Sequence, residues 1–113
     1  MAVTDLRDAL KQVLAETYHY IAPQKKPPRY IVWGETGIDH GMDADNETEI
    51  LLVSGELWFY TSEEYDPLVA EIIRALDFAG AAWSGSGVGR ENDTGMIVYG
   101  FSWRIACGDG EIY

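Results

Sequence analysis

Apolar residues recur every three or four positions through the first part of the chain, which is the spacing of one face of a helix. The residues that follow this spacing are Leu6, Leu10, Val13, Leu14 and Ile21, with Tyr18 close to the same stripe. Proline cannot donate a backbone hydrogen bond and restricts the residue before it, so Pro23 ends the pattern. The sequence therefore predicts one long first helix that stops before Pro23.

The pattern then changes to the period of two that is typical of strands. Residues 30–35 are β-branched and aromatic and predict a first strand, and the glycines in residues 34–46 predict a long loop after it. Residues 48–61 predict a second strand, with Leu57 and Phe59 on one face and Trp58 and Tyr60 on the other. A half-apolar outer face on a small domain indicates a partner surface, so Trp58 and Tyr60 are candidate contact residues.

The second half of the chain predicts a helix and two further strands. Asp66 followed by Pro67 is typical of a helix start, and Gly80 lies where a left-handed cap would end that helix. Residues 81–90 and 96–107 predict a third and a fourth strand, joined by a turn at residues 91–95. The predicted order is α-β-β-α-β-β in one α+β domain over residues 1–113. We expect two helices packed on one face of a four-stranded, mostly antiparallel sheet.

The charge is strongly negative and unevenly distributed. The chain of 113 residues has a formal net charge of −11, and the balance is +2 over residues 1–34 but −13 over residues 35–113. Binding to phosphates needs clustered Lys and Arg, so we expect no sequence-specific nucleic-acid binding. No apolar run approaches the ~20 residues of a membrane helix, so we expect no membrane partner.

An acidic segment follows the first predicted strand, and its members are Asp39, Asp43, Asp45, Glu47 and Glu49. The first carboxylates fit the start of an EF-hand loop. However, Thr48 stands where that loop needs glycine, and Ser54 stands where it needs a bidentate glutamate. We therefore predict no metal site, and we interpret the segment as an acidic interaction loop or a loop that faces a channel. Lys25 and Lys26, with Arg29, form a basic segment that would be its positive partner in a neighbouring subunit.

The sequence carries no pattern that indicates catalysis or a cofactor. The glycines of residues 85–89 lack the spacing of a dinucleotide fingerprint and have no following Lys-Ser/Thr. His19 and His40 have no nucleophile suggested by spacing, and we expect His19 to be a packing residue near the end of the first helix. Cys107 is the single cysteine, which excludes an intramolecular disulfide, and we expect it to fill apolar space.

Three segments carry a resemblance to a known class of protein: residues 18–35, the DADN run at residues 43–46, and residues 55–68, where a strand ending in aromatics meets Glu-Tyr-Asp-Pro. They resemble small tail completion proteins of bacteriophages and of prophages in Gram-positive hosts, the tail terminator type. The resemblance implies a non-enzymatic protein that forms a hexameric ring, caps the tail tube and presents a surface to the head connector. It also implies a place in the neck of the virion tail after synthesis in the bacterial cytoplasm.

Two alternatives stay open beside the terminator interpretation. A head–tail adaptor belongs to the same class and would differ only in its docking partner. A small acidic inhibitor or immunity-type protein would also fit the size and charge, because an acidic face can block a basic site on another protein. Self-association separates the two classes, since inhibitors are commonly monomers or dimers.

Overall fold

The computed structural model describes residues 2–40, 50–108 and 111–113. Within these ranges the chain forms two helices and one five-stranded sheet. The elements are α1 (Val3–Val13), β1 (Thr17–His19), β2 (Arg29–His40), β3 (Ile50–Thr61), α2 (Leu68–Phe78), β4 (Ala82–Arg90) and β5 (Ile97–Gly108). The strand order is β1-β2-β3-β5-β4, and only the β1–β2 pair is parallel. The α+β class is confirmed, but the sheet is mixed and has five strands where we predicted four.

The additional strand comes from the segment assigned to the end of the first helix. The helix ends at Val13, because Leu14 is already extended with φ −150° and ψ 120°. Thr17–His19 then pairs with β2, with Thr17 beside Ile31. Thr and aromatic residues favour strands, and Ile21 is 81% exposed, so it never belonged to a buried helical stripe. Pairing with a distant strand therefore prevails over a local helical spacing.

The predicted loop over residues 34–46 is also largely strand, as far as the described residues extend. β2 continues to His40 and pairs with β3 throughout, with a bulge between Glu35 and Gly37. Gly34 lies under the ring of Tyr20, and a Cβ at this position would overlap that ring. The glycine is thus explained by a close approach within a sheet and not by a turn. Residues 41–46 lie outside the described residues.

The predictions for the second half are confirmed within a residue or two. Asp66 accepts a hydrogen bond at Oδ1 from the Leu68 N–H over 2.9 Å, and Pro67 lies just before α2. Gly80 has the left-handed φ of 74° that ends the helix, and Gly95 has φ 72° in the turn between β4 and β5. These positions need positive φ, which glycine adopts without a steric cost.

Both helices pack on one face of the sheet and enclose a single apolar core. Leu6 and Leu10 of α1 and Ile72 and Leu76 of α2 are completely buried. The sheet contributes the inward positions of its central strands, Ile31, Trp33, Val53, Leu57, Phe59, Phe101, Trp103 and Ile105. The opposite, outer face carries no helix among the described residues. The molecule is elongated, with extents of 51 × 22 × 21 Å, because the long strands extend beyond the helices.

Candidate assembly surfaces

The basic segment and Asp39, the one described member of the acidic segment, lie near opposite ends of β2. Lys25 and Lys26 are exposed in the connection that precedes the strand, whereas Asp39 is exposed near its end. Ten residues separate Arg29 from Asp39, which places them roughly 33 Å apart at about 3.3 Å per residue. Asp39 of one copy therefore cannot reach Lys25 of the same copy. The other members of the acidic segment, Asp43, Asp45, Glu47 and Glu49, lie outside the described residues.

Arg29 is engaged within its own copy. Its Nε donates to Asp66 Oδ2 over 2.8 Å, and its Nη2 donates to Asp66 Oδ1 and to Glu63 Oε2, each over 2.7 Å. The Asp66 carboxylate is fully buried and also accepts from the Thr61 hydroxyl over 2.7 Å. The hydrogen bond that Arg29 donates to Asp66 raises the pKa of Arg29. Arg29 therefore holds α2 against β2, which leaves Lys25 and Lys26 as the members of the basic segment that are available to a partner.

The environment of Asp66 favours its charged form. Burial alone would raise the pKa of this carboxyl group, but hydrogen bonds from Arg29, Thr61 and the Leu68 N–H outweigh burial and lower the pKa below its usual range. Periodicity could not reveal this network, because Arg29 and Asp66 are 37 positions apart. The Asp66–Pro67 signal indicated only the helix start.

The outer face of the sheet is apolar at the end where β2 begins. Trp58 is 39% exposed, and Tyr60 stacks on Tyr30 with ring centroids 4.5 Å apart and planes 9° apart. Tyr18 and Val32 continue the row of Trp58 across β1 and β2. Burial raises the pKa of Tyr30 to about 12, with smaller contributions from Tyr60 and Glu91.

Towards the other end the same face is polar, because the Ser102 hydroxyl donates to Glu56 and Arg104 follows two residues later. The predicted pair Trp58 and Tyr60 is therefore part of a larger patch, the outer aromatic patch, which consists of Tyr18, Val32, Trp58, Tyr60 and Val98, with Tyr30 buried beside Tyr60. The alternation of residues 30–33 was the signal that could have identified Tyr30 and Val32.

A cluster that sequence reasoning missed joins β1, β2 and the last described residue. His19 Nε2 lies 2.5 Å from Glu35 Oε1, and the Tyr113 hydroxyl donates to Glu35 Oε2 over 2.7 Å. Burial would raise the pKa of Glu35, but the hydrogen bonds from His19 and Tyr113 outweigh burial and lower it. His19 also contacts the rings of Tyr20 and Trp33, with centroids 4.2 and 4.5 Å away. His19 therefore contacts two rings, but its side chain is 45% exposed and it lies in a strand, so the prediction of a packing residue near the end of the first helix was wrong.

A groove of about 670 Å³ separates the exposed sides of the two helices. Its floor is apolar and includes Ala9, Val13 and Ala75, while Phe78 is 83% exposed at its edge. Arg74 and Glu71 form an ion pair along α2. Because the groove combines an apolar floor with a charged rim, it is a second surface that another protein could contact.

Cys107 is completely buried, and burial raises the pKa of its thiol, which fits a residue that fills apolar space. The described ranges contain no group of three His, Cys, Asp or Glu residues that could hold a metal ion. Neither described helix is long and apolar enough to cross a membrane.

Solved structures with a similar fold were found, whereas the comparisons with family models and with curated proteins gave no match. Among solved structures, the chain is similar to the sheath/tube terminator of an extracellular contractile injection system in its extended state, with 9% identity and a TM-score of 0.41. The match covers 99% of this chain but only 60% of that one, so the chain spans less than two thirds of the length of its neighbour.

Proposed function

We propose that the protein is a structural component of a bacteriophage or prophage tail that caps the tail tube as an oligomeric ring and joins it to the head connector. The observation that carries the proposal is that exposed Lys25 and Lys26 precede β2 whereas exposed Asp39 lies near its other end. Unlike charges at opposite ends of a subunit favour head-to-tail contacts between copies. Such contacts form a closed ring when the rotation from one copy to the next divides a full turn evenly. The resemblance of residues 18–35 and 55–68 to small tail proteins supports the same role.

A ring needs charge compensation. Six copies at −11 each would carry −66, so repulsion opposes assembly unless unlike charges meet between subunits. Lys25 and Lys26 are exposed and have no ion-pair partner among the described residues, so they supply the positive side of that contact. The remaining carboxylates of the acidic segment would then face the lumen, where DNA would meet like charge and pass without binding.

The outer aromatic patch gives the ring a docking surface for the tube protein or the connector. Trp58 is large, exposed and held in a rigid strand, and aromatic residues of this kind are enriched at protein interfaces. No catalytic step is assigned to any residue, and the proposed site of action is the neck of the virion tail.

Light scattering across a concentration series, at low and high salt, tests the ring. We expect a mass several times 12.6 kDa that falls as salt screens the charge contact. Lys25→Glu with Lys26→Glu should shift the protein to smaller species, whereas Lys11→Glu, an exposed charge reversal on α1, is the matched control. Adding Asp39→Lys to the double variant should restore part of the association.

The same measurements separate the proposal from the inhibitor alternative. A constant mass of 12.6 kDa at every concentration and salt, with or without purified tail tubes, would contradict ring formation. An acidic inhibitor would instead remain monomeric and form a salt-sensitive complex with one basic protein. In a phage background, replacing Asp43, Asp45 and Glu47 with Lys should impair tail joining or DNA passage. A wild-type phage yield from that variant would exclude the channel role of the acidic segment.

A further inference from the structure

β4 is a long edge strand that nothing among the described residues covers. It is the last strand in the order β1-β2-β3-β5-β4, and all nine of its residues are exposed. Residues 84–89 are small apart from Val88, so few side chains shield the backbone groups that point away from β5. Natural edges are commonly protected by Lys, Pro or inward-pointing charges, but residues 82–89 contain none of these.

Two cavities lie on opposite faces of this strand, at the same position along it; the one on the helix face is apolar, whereas Ser86 adds a hydroxyl to the one on the outer face. The cavity on the outer face has a volume of about 260 Å³ and is bordered by Trp58 and Val98. The cavity on the helix face has a volume of about 360 Å³ and is bordered by Ile73 and Tyr99. Val88 borders both cavities.

A bulge lies at this position, because the pairing with β5 shifts between Gly85 and Gly87. Gly85 lines the helix-face cavity, and Gly87 lines both cavities. Bulges are one of the devices by which edges avoid pairing. In β4 the bulge residues instead form part of two cavities, which fits a strand edge shaped to accept side chains.

This arrangement matches the geometry of an added strand. An extended segment paired to an edge sends alternate side chains to opposite faces of the sheet, so two neighbouring side chains would each meet one cavity. Backbone hydrogen bonds to the edge would supply affinity, and the cavities would select apolar side chains. The position of the cavities and of the free edge therefore points to one type of ligand.

Carboxylates at the two ends of β4 indicate the charge of that ligand. Asp77 lies beside the start of the strand, where its Oδ1 accepts from the Trp83 indole N–H over 3.0 Å. Glu91 and Asp93 follow the end of the strand and are not buried. At the end of the strand these two carboxylates outnumber Arg90. At its start Asp77 lies on the helix side, whereas Arg104, paired with Ala82, lies on the outer side. The acidic groups therefore still favour basic residues on the flanks of a bound segment.

We propose that β4 is a strand-addition site that binds an extended segment of another protein, with adjacent apolar side chains in its centre and Lys or Arg on each flank. The segment pairs with the free edge of β4 and places its central side chains in the two cavities. The site does not depend on ring formation or on a role in tails, because it rests only on the edge, the cavities and the flanking charges.

The test uses a fluorescent peptide with a Val-Thr-Val-Val-Thr-Val core and a Lys at each end, titrated with the wild-type protein and followed by anisotropy. Two isomers of the peptide carry N-methyl groups on alternate residues, one on the odd positions and one on the even positions. An added strand uses only one of the two alternating sets of N–H groups. One isomer should therefore bind like the parent peptide, and the other should lose binding by about tenfold or more.

A pair of protein variants tests the position of the site. Val88 pairs with Tyr99 and shares its face, so Val88→Lys introduces a charge at the helix-face cavity and should weaken binding about tenfold, because burying an unpaired charge is costly. Ser84→Lys adds the same charge to the same exposed strand outside the two cavities and should change affinity far less. Val88 is 71% exposed, so thermal unfolding of both variants should match the wild type.

Three outcomes would overturn the proposal: absence of peptide binding, equal binding of the two N-methyl isomers, or equal affinity of the Val88→Lys and Ser84→Lys variants. Self-association that Val88→Lys abolishes in the absence of peptide would show that a second copy of this chain occupies the edge. A failed ring test leaves these expectations unchanged, and a failed peptide test leaves the ring proposal unchanged.

Discussion

Replacing Asp66 with asparagine is the perturbation whose effect on stability can be worked out most fully from the structure. The carboxylate is fully buried and accepts two hydrogen bonds from Arg29, one from Thr61 and one from the Leu68 N–H. Asparagine keeps the shape and one acceptor oxygen, so the bond to the helix start can persist. It removes the charge and leaves the Arg29 guanidinium facing an amide.

The expected loss follows from these contacts. A hydrogen bond to a charged group contributes about 1.5–3 kcal/mol, but the guanidinium is 34% exposed and water compensates part of the loss. We therefore expect Asp66→Asn to lower the free energy of unfolding by about 2 kcal/mol. Asp66→Ala, which also removes the cap, should cost about 1 kcal/mol more. For a domain of this size a loss of 2 kcal/mol corresponds to a decrease in Tm of roughly 8 °C.

Urea unfolding followed by tryptophan fluorescence measures this loss. Glu63→Gln is the matched control, because Glu63 contacts the same arginine but its side chain is 54% exposed. We expect that control to change the free energy of unfolding by less than about 0.5 kcal/mol. In a double-mutant cycle, Arg29→Gln should have little further effect once Asp66 is asparagine.

The pH dependence has a defined sign. The pKa of Asp66 is lower in the folded protein than in the unfolded chain, so its contribution is complete above the unfolded pKa of about 4 and is lost as the pH falls through the folded pKa. The difference in stability between wild type and Asp66→Asn should therefore shrink below about pH 4. Equal effects of Asp66→Asn and Glu63→Gln at neutral pH, or a difference that persists unchanged into acid, would refute the reasoning.

Two further predictions concern close packing in the sheet and core. Gly55→Ala should destabilise the protein by several kcal/mol, because a Cβ there would overlap the ring of Trp103. Gly37→Ala has open space around its Cβ position and should cost about 1 kcal/mol or less. Similar unfolding midpoints for the two variants would contradict this packing. The Cys107 thiol is buried and its pKa is raised, so it should react with a soluble disulfide reagent only as fast as the protein opens. Modification at the rate of a free thiol in native buffer would contradict the burial of Cys107.

Local signals determined how well the fold could be predicted. Asp66, Gly80 and Gly95 each mark a boundary through a backbone requirement that operates over a few residues, and all three boundaries were found. The end of α1 was missed because Tyr18 and Ile21 happen to continue a helical spacing, while the parallel pairing of residues 17–19 with residues 31–33 is not visible locally. The number of strands was therefore wrong by one.

The candidate surfaces show the same limit. The exposure of Lys25 and Lys26 could be predicted from composition, and the outer position of Trp58 could be predicted from the alternation along its strand. The pairing of Arg29 with Asp66 does not, because a salt bridge between distant segments depends on the whole fold. The cavities beside β4 likewise arise from side chains of three different elements, which no spacing along the chain brings together.

The short pairing of β1 has a consequence for local stability. β2, β3 and β5 are joined by two long antiparallel pairs at the centre of the sheet, whereas β1 adds three residues at its edge through a connection that includes Pro23, Pro27 and Pro28. Edge pairs that contribute few bonds open first, so β1 should exchange its amide protons fastest among the strands. Lys25 and Lys26 lie in the connection that β1 anchors. An ion pair made there by a neighbouring subunit would hold the connection in place, so subunit association and the completion of each subunit's own sheet would be thermodynamically coupled.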